Sequence, residues 1–287
     1  MIWTEGKMPN KADLENIELS LLLEAIYRCY GYDFRDYARS SLMRRAKLYM
    51  SQAGFKNLSE IIPEIIHKKE LFQDLVHHFS ITVTEMFRDP TMYAGLIEKV
   101  FPFLETHPYV KIWHAGCATG EEVYSTAILL KEAGIYDRCT IFATDFNDSA
   151  LETAKNGIYR IDNMKQCIKS YQDAGGTHSF AEYYNAKYDS ISLSKELKKN
   201  ITFANHNLVL DGSFGEMHLV FCRNVLIYFN KTLQDRALEL LTESLIPGGF
   251  LCLGTKESIT FSSVAKKYLV IKEKERIFQK KYFVSEV

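Results

Sequence analysis

The sequence predicts two parts, an all-helical N-terminal domain followed by an α/β domain with a mostly parallel sheet. Residues 12–80 carry apolar side chains at helical spacing and show no strand pattern. Beyond residue 90, short apolar runs alternate with helical segments, which is typical of parallel strands covered by helices on both faces. Hydrophobic residues make up 47% of the 287 residues, so we expect a packed globular core.

The helical part is predicted to contain four helices. The first ends at Gly31, because glycine is the usual residue just past a helix end, and the second covers residues 32–54. Residues 58–69 and 70–80 complete a small bundle, in which Ser59 is the expected N-cap of the third helix.

The α/β part begins with a helix for which Asp89 is the expected N-cap and Pro90 the first residue. The predicted elements that follow are strand 110–116, helix 121–133, strand 140–145, helix 148–156, strand 217–223, helix 231–245 and strand 249–254. Residues from about 160 to 200 predict a small antiparallel insertion, and residues 267–284 predict an antiparallel hairpin at the sheet edge.

Charge and composition exclude several classes of protein. The net charge of −1 gives no overall attraction to nucleic acid or to an anionic membrane. The six cysteines include no CxxC pair and the eight histidines show no metal-ligand spacing, so we expect a reducing compartment and no metal site. No apolar stretch approaches the roughly 20 residues of a membrane span, and the N-terminus has no signal-peptide pattern. We therefore expect a soluble, cytoplasmic, monomeric protein without membrane insertion.

The turn "GCATGEE", which begins at Gly116, is the main candidate ligand site. It follows the first predicted strand, and open α/β sheets bind ligands at the carboxyl ends of their strands. The second predicted strand ends at Asp145, whose carboxylate suits the two hydroxyl groups of a ribose. These features predict a ligand that contains a nucleoside.

The charges of the turn indicate which nucleoside it binds. Glu121 and Glu122 would repel a pyrophosphate, because two charges ~4 Å apart at an effective dielectric near 20 interact by about 4 kcal/mol. S-adenosylmethionine has no phosphate and carries a positive sulfonium and ammonium, so it fits better. The alternative is that both glutamates only complement the helix dipole.

Three polar or aromatic side chains follow the strand predicted at 217–223. Arg223 and Asn224 come directly after it and are expected at the same sheet edge as the glycine turn, with Tyr228 close behind. Arg88 lies in the segment between the two parts of the chain. The alternatives are a core aromatic for Tyr228 and a solvated charge for Arg88.

Four segments carry a family resemblance, and they occur in the family's order: "TVTEMFRDP" at 82–90, "IWHAGCATGEEVYS" at 112–125, "ATDFNDSALETAKNGIY" at 143–159 and "LVFCRNVLIYFNKTLQDRALELLTESLIPGGFLCLG" at 219–254. Together they resemble the CheR-type chemotaxis-receptor protein-glutamate O-methyltransferases over roughly residues 15–282. The combination of four segments is highly specific.

The resemblance implies a Rossmann-like S-adenosylmethionine methyltransferase sheet with a small antiparallel β insertion, preceded by an all-helical N-terminal domain. It implies a receptor-docking domain at 1–80, a linker at 81–90 that contributes to the active site, and a methyltransferase domain at 91–287. The implied reaction forms γ-glutamyl methyl esters on cytoplasmic helices of chemoreceptors or a related signalling protein, and leaves S-adenosylhomocysteine as product.

The resemblance also implies the site residues. Those implied to contact the cofactor are Thr82, Thr84, Arg88, Glu122, Asp145, Asn207, Leu208, Arg223 and Asn224, and the glycine turn adds Gly116. Arg88 and Tyr228 match the family's proposed catalytic pair.

The chain departs from the family pattern at several positions. Val123 stands where proline is common, Thr82 stands where asparagine is frequent, and "GTKE" at 254–257 replaces the usual "GHSE". Some members use a glycine-rich loop of the insertion to bind a receptor's C-terminal pentapeptide. The equivalent segment, 183–194, contains no glycine, so we expect no dependence on that pentapeptide.

Other functions stay open on the residues alone. They are a methyltransferase for a small molecule or nucleic acid, and a non-catalytic module that senses S-adenosylmethionine. The glycine spacing and the glutamates exclude an NAD-dependent oxidoreductase. Basic residues of the helical part could dock an acidic receptor helix or form a solvated face; these are Arg35, Arg39, Arg44, Arg45 and Lys47.

Overall fold

The computed structural model describes residues 9–80, 84–160, 162 and 164–282, and the chain divides into two compact units. The helical unit holds the described residues up to 80 together with Tyr228–Asn230. The remainder forms the α/β unit. No helix in these described ranges is both long enough and apolar enough to cross a bilayer.

The helices are α1 (Lys11–Tyr30), α2 (Arg39–Ala53), α3 (Ile61–His67), α4 (Lys69–Phe79), α5 (Pro90–Lys99), α6 (Phe101–Glu105), α7 (Glu121–Glu132), α8 (Asp148–Asn156), α9 (Met164–Asp173), α10 (Lys195–Lys198) and α11 (Lys231–Ser244). The strands are β1 (Val110–Ala115), β2 (Cys139–Asp145), β3 (Ile158–Arg160), β4 (Tyr184–Lys187), β5 (Ser190–Leu193), β6 (Ile201–Asn205), β7 (Met217–Cys222), β8 (Leu245–Leu253), β9 (Tyr268–Lys272) and β10 (Ile277–Lys280).

The helical unit is built on the apolar stripe of α1. Leu19, Leu22, Leu23 and Ile26 recur at helical spacing and are fully buried. Gly31 ends the helix as expected, with φ of 77° and its N–H donating to the carbonyl of Tyr27.

Two predictions for the helical unit are wrong. The second helix begins at Arg39 rather than at residue 32. The preceding segment is not helical, because its aromatic rings pack into the helical unit. Phe34 is buried there, with its ring 5.5 Å from that of Phe79. Ser59 does not cap α3, since its hydroxyl donates to Glu18 at 2.7 Å and it lies in a 3₁₀ turn that precedes the helix.

The α/β unit contains a seven-stranded sheet in the order β6-β2-β1-β7-β8-β10-β9. The first five strands are parallel, and β10 and β9 form the antiparallel hairpin that the sequence predicts at the edge. A separate antiparallel sheet, in the order β3-β5-β4, forms the predicted insertion. The predicted fold class is therefore confirmed.

Candidate functional site

The carboxyl ends of β2, β1, β7 and β8 lie side by side, because these strands are adjacent and parallel. Asp145 is the last residue of β2, Gly116 follows β1, and Arg223 follows β7. The structure thus brings these three predicted site residues to one edge of the sheet, where open α/β sheets bind ligands.

The turn after β1 needs glycine for the chain's own packing. Gly116 has φ of 76°, and a Cβ on it would lie 2.5 Å from Cγ2 of Val225. The N–H groups of Gly116 and Cys117 both donate to the carbonyl of Thr144, at 2.8 and 2.9 Å. Gly120, with φ of 91°, leads into α7. The turn is therefore fixed against β2 and the segment after β7.

Asp145 is positioned by backbone donors. Its Oδ2 accepts a hydrogen bond from the N–H of Ala118 at 2.9 Å, and its Oδ1 accepts one from Asn147 at 2.9 Å. Burial raises the pKa of Asp145, although these N–H groups oppose the shift. A carboxylate has about four lone-pair positions, so Asp145 can still accept from a hydroxyl group of a diol.

Glu122 and Asp89 pair with the buried side chain of Arg223, and we call these three residues the Arg223 cluster. Arg223 donates from Nη1 to Glu122 at 2.8 Å and from Nη2 to Asp89 at 2.6 Å, and its side chain is 1% exposed. The other oxygen of Glu122 contacts Nδ1 of His114 at 3.1 Å. Two carboxylates against one guanidinium give the cluster a net negative charge.

The pKa shifts follow from this pairing. Burial alone favours the neutral form of Glu122, but Arg223 and His114 together outweigh it and lower the pKa of Glu122. Burial also opposes the charge of Arg223, yet the carboxylates of Glu122 and Asp89 raise its pKa. Because Glu122 is ionised, Nδ1 of His114 is the donor in their hydrogen bond.

Asp89 occupies the N-cap position of α5, which begins at Pro90 as predicted, but its side chain makes no capping hydrogen bond. Its φ of 56° is left-handed, and its carboxylate is directed to Arg223 instead of to the helix N–H groups. A positive φ is uncommon for residues other than glycine. Backbone strain of this kind is concentrated at functional sites.

Arg88 lies in a segment that Phe87 anchors. The side chain of Phe87 is fully buried, its N–H donates to Oγ of Ser125 at 2.9 Å, and its ring lies 5.2 Å from that of Tyr171. The carbonyl of Arg88 accepts a hydrogen bond from Arg223 at 3.5 Å. The backbone of Arg88 is therefore adjacent to the Arg223 cluster.

Asn207 and Leu208 follow β6, which pairs in parallel with β2, so they lie next to the strand end that carries Asp145. Leu208 is buried, and Oδ1 of Asn207 accepts from the backbone two residues further on. Thr84 is half-buried in the segment before α5. Thr82 lies outside the described residues.

Asn224 has φ of 60°, and its N–H donates to Glu257 at 2.9 Å. Tyr228 belongs to the helical unit, where its ring lies 5.1 Å from the guanidinium of Arg45 and its carbonyl accepts from the N–H of Ala38 at 2.8 Å. The predicted catalytic pair, Arg88 and Tyr228, therefore falls in different units.

Comparison with known proteins identifies the family. Residues 82–277 match the family model described as "CheR methyltransferase, SAM binding domain", and residues 17–80 match "CheR methyltransferase, all-alpha domain". The chain belongs to the CheR methyltransferase family. Cher3 of Pseudomonas putida, which is named as a methyltransferase, is 46% identical over 265 residues, or 92% of this chain and 97% of Cher3.

More distant relatives of this CheR methyltransferase are named chemotaxis protein methyltransferase. The protein from Borreliella burgdorferi is 30% identical over 89% of this chain and 93% of its own length. The one from Salmonella typhimurium is 26% identical over 91% of this chain and 90% of its own length.

The CheR methyltransferase is an S-adenosylmethionine-dependent enzyme, and its residues fit that cofactor. Asp145 offers acceptors for ribose hydroxyl groups, and the negative Arg223 cluster suits a cationic ligand without phosphate. The glycines of the turn fit less directly than the sequence predicted. A Cβ on Gly116 would meet Val225, and one on Gly120 would lie 2.8 Å from Cβ of Ala154, so internal packing already requires them.

Four residues around this site give little signal in the sequence for the contacts that they make. His114 is a histidine inside an apolar strand, which was its only signal. Asp89 stands before a proline that begins a helix, a pattern that indicates an N-cap and not a partner of Arg223, and Phe87 shows no distinguishing pattern. The sequence marks Glu257 only as part of "GTKE", although its carboxylate accepts hydrogen bonds from the turn after β7.

Proposed function

We propose that this CheR methyltransferase forms γ-glutamyl methyl esters on the cytoplasmic helices of chemoreceptors or a related signalling protein. The match to both domains of the CheR family carries the proposal, and the relatives named chemotaxis protein methyltransferase support it. The proposal includes a cytoplasmic location, where such helices lie, and action as a monomer. Transfer of a labelled methyl group to a receptor fragment tests it.

The proposed reaction needs no general base. A glutamate carboxylate has an unperturbed pKa of about 4.3, so it is already a nucleophile at neutral pH. S-adenosylmethionine supplies a methyl group on a positively charged sulfur. One carboxylate oxygen forms a bond to the methyl carbon while the carbon–sulfur bond breaks and its electron pair stays on sulfur. No proton moves, and both charges are neutralised.

The chain's own contribution is then alignment and exclusion of water. Positioning of this kind can lower a barrier by ~7–11 kcal/mol. We propose that Asp145 holds the ribose and that the Arg223 cluster fixes the charged end of the cofactor. The other proposed cofactor contacts are Thr82, Thr84, Arg88, Gly116, Asn207, Leu208 and Asn224.

Arg88 and Tyr228 are the proposed catalytic residues, which hold the incoming carboxylate or the cofactor in line. We expect Arg88→Ala and Tyr228→Phe to slow single-turnover methyl transfer by about 10- to 100-fold, the effect of losing one charged hydrogen bond. Arg28→Ala and Tyr109→Phe are matched controls, because both side chains are exposed. Near-wild-type rates at saturating substrate would remove the assignment.

We propose receptor docking as the role of the N-terminal domain, residues 1–80. Its basic residues are less available than the sequence suggests. Arg35 pairs with Asp33 at 2.8 Å, Lys47 pairs with Glu15 at 2.6 Å, and buried Arg45 donates to a backbone carbonyl. If charge contributes to docking, receptor affinity falls as salt rises. Affinity that is independent of ionic strength would argue for an uncharged contact.

We propose that methylation is independent of a receptor's C-terminal pentapeptide. In the insertion, β4 and β5 are joined by the two residues Tyr188 and Asp189 alone, so no glycine-rich loop lies between them. Receptor fragments with and without the pentapeptide are expected to be methylated at equal rates. A large loss of rate on its removal would show that the short turn still binds it.

A further inference from the structure

Glu257 is a buried carboxylate that lies just beyond β8. Glu257 is 4% exposed, and within the described part of the chain its carboxylate accepts hydrogen bonds from backbone N–H groups only. Oε2 accepts from Gly254 at 2.6 Å and Asn224 at 2.9 Å, while Oε1 accepts from Val225 at 2.9 Å and Ile227 at 3.3 Å. One side chain thus satisfies four backbone donors.

These donors come from two segments of the chain. Gly254 follows β8, whereas the other three residues form the turn after β7, and β7 and β8 are parallel neighbours. A Cβ on Gly254 would lie 2.8 Å from the backbone nitrogen of Asn224 and 2.8 Å from Oε2 of Glu257. The carboxylate therefore fills the space where the two segments meet, and the glycine leaves room for it.

The same turn carries Arg223 and Asn224, two of the proposed cofactor contacts at the carboxyl ends of the parallel strands. Asn224 holds a left-handed φ of 60°, which a free chain seldom adopts. The preceding residue, Arg223, is held through its side chain by Glu122 and Asp89. Its backbone continues directly into the N–H groups that Glu257 binds. The guanidinium of Arg223 is thus held by Glu122 and Asp89, whereas the backbone that follows Arg223 is held by Glu257.

We propose that Glu257 is a positioning residue for cofactor binding: its carboxylate holds the turn after β7 in the shape in which Arg223 and Asn224 bind S-adenosylmethionine. Glu257 does not itself touch the cofactor. The inference rests on the proposed cofactor contacts of Arg223 and Asn224.

Glu132 offers a matched control in the same unit. Its side chain is 7% exposed, and it accepts from the hydroxyl of Tyr183 at 2.9 Å, the N–H of Thr177 at 2.9 Å and the hydroxyl of Tyr171. It lies at the last residue of α7, whereas Glu122 lies near the first turn of that helix. Glu132 is thus a carboxylate with a largely buried side chain and several hydrogen-bond donors, and it has no part in the turn after β7.

The experiment compares Glu257→Gln with Glu132→Gln by thermal unfolding and by calorimetric titration with S-adenosylhomocysteine. Both variants are expected to unfold at lower temperature, because each loses an acceptor for several donors. Glu257→Gln is expected to weaken the binding of S-adenosylhomocysteine at least about tenfold. The affinity of Glu132→Gln for this ligand is expected to stay within about twofold of wild type. Glu257→Asp, which keeps the charge on a shorter side chain, is expected to lie between.

A second variant keeps the test decisive if Glu257→Gln does not fold. Gly254→Ala retains the carboxylate of Glu257 but forces it away from Asn224. This variant is therefore expected to bind S-adenosylhomocysteine more weakly than wild type. Wild-type affinity in Glu257→Gln or in Gly254→Ala, or equal weakening in Glu132→Gln, overturns the inference. Failure of the wild-type protein to bind S-adenosylhomocysteine would instead refute the proposed cofactor site.

Discussion

At the scale of single residues, the neighbouring carboxylates Glu121 and Glu122 lie in different surroundings. Glu121 accepts a hydrogen bond from the hydroxyl of Thr119 at 2.7 Å, and burial raises its pKa. Burial also acts on Glu122, but Arg223 and His114 together outweigh it and lower the pKa of Glu122. The sequence could not assign different roles to the two, since both stand at the start of one helix. Their partners in space separate them.

This difference predicts opposite pH dependences for two matched variants. The folded-state pKa of Glu122 is lowered, so its contribution to stability is present above its unfolded pKa of about 4.3 and is lost as pH falls through the folded value. The advantage of wild type over Glu122→Gln should therefore shrink in acid. For Glu121 the folded pKa is raised, so wild type should gain on Glu121→Gln as pH falls.

The measurement is the free energy of unfolding from urea titrations of the three proteins between about pH 3 and 7. The two differences from wild type are expected to change in opposite directions. If both differences shrink together in acid, the assignment of separate environments is wrong.

Asp145 supports a second prediction about a single side chain. Asp145→Asn keeps one acceptor but turns an amide N–H₂ group toward the N–H of Ala118 or Asn147, and it removes the charge that would hold ribose hydroxyl groups. We expect S-adenosylhomocysteine to bind about 10- to 100-fold more weakly by calorimetry. Asp148→Asn is the matched control, because Asp148 accepts from exposed Asn205 at 2.7 Å, and it should leave affinity unchanged. Equal affinity in Asp145→Asn contradicts the ribose assignment.

Sequence reasoning could place Gly116, Asp145 and Arg223 because each stands at the end of a recognisable strand, and parallel strands bring those ends together. It could not find the contacts of Glu257 or His114. Glu257 binds N–H groups of residues 30 to 33 positions earlier in the chain, and no local pattern announces such a partner.

At the scale of elements, the turn after β1 depends on glycine for two separable reasons. Gly116 and Gly134 both have positive φ, of 76° and 71°. A Cβ on Gly134 would meet nothing within 4 Å, whereas one on Gly116 would collide with Val225. Both positions therefore favour glycine because of their positive φ, and only Gly116 also needs glycine to avoid a collision with a neighbouring side chain.

Alanine substitutions at these two positions test that distinction. Gly134→Ala is expected to destabilise the protein by about 1–2 kcal/mol, the cost of a left-handed residue with a Cβ. Gly116→Ala should lower the free energy of unfolding by a further ~1–3 kcal/mol, because its Cβ overpacks against Val225. It should also weaken the binding of S-adenosylhomocysteine, because the turn must move. Denaturant unfolding and calorimetry measure the two effects. Equal destabilisation with unchanged affinity would show that Val225 simply gives way.

Which elements the sequence could predict depends on their burial. β1, β2 and β7 are buried on both faces and appear in the sequence as apolar runs. β6 lies at the edge of the sheet, and none of its five residues is fully buried, so it gives no such signal. Helix α9 was missed because most of its residues are polar, and only Ser170 and Tyr171 are buried.

At the scale of the whole molecule, the chain combines the two domains that define the CheR methyltransferases. The fold class and the cofactor could be predicted because several specific segments recur in one order along the sequence. The substrate could not be derived from physical chemistry in the same way. The methylated glutamates belong to another protein, so only the family resemblance indicates them.

We propose that the protein esterifies glutamate side chains of a receptor. The most direct measurement incubates the full-length protein with methyl-labelled S-adenosylmethionine and a purified receptor cytoplasmic fragment, and then maps the label by peptide mass spectrometry before and after mild base. We expect label on glutamate side chains that base releases as methanol, and less label with the Asp145→Asn enzyme at limiting S-adenosylmethionine. Base-stable label, or cofactor binding without transfer to any receptor fragment tested, would contradict it.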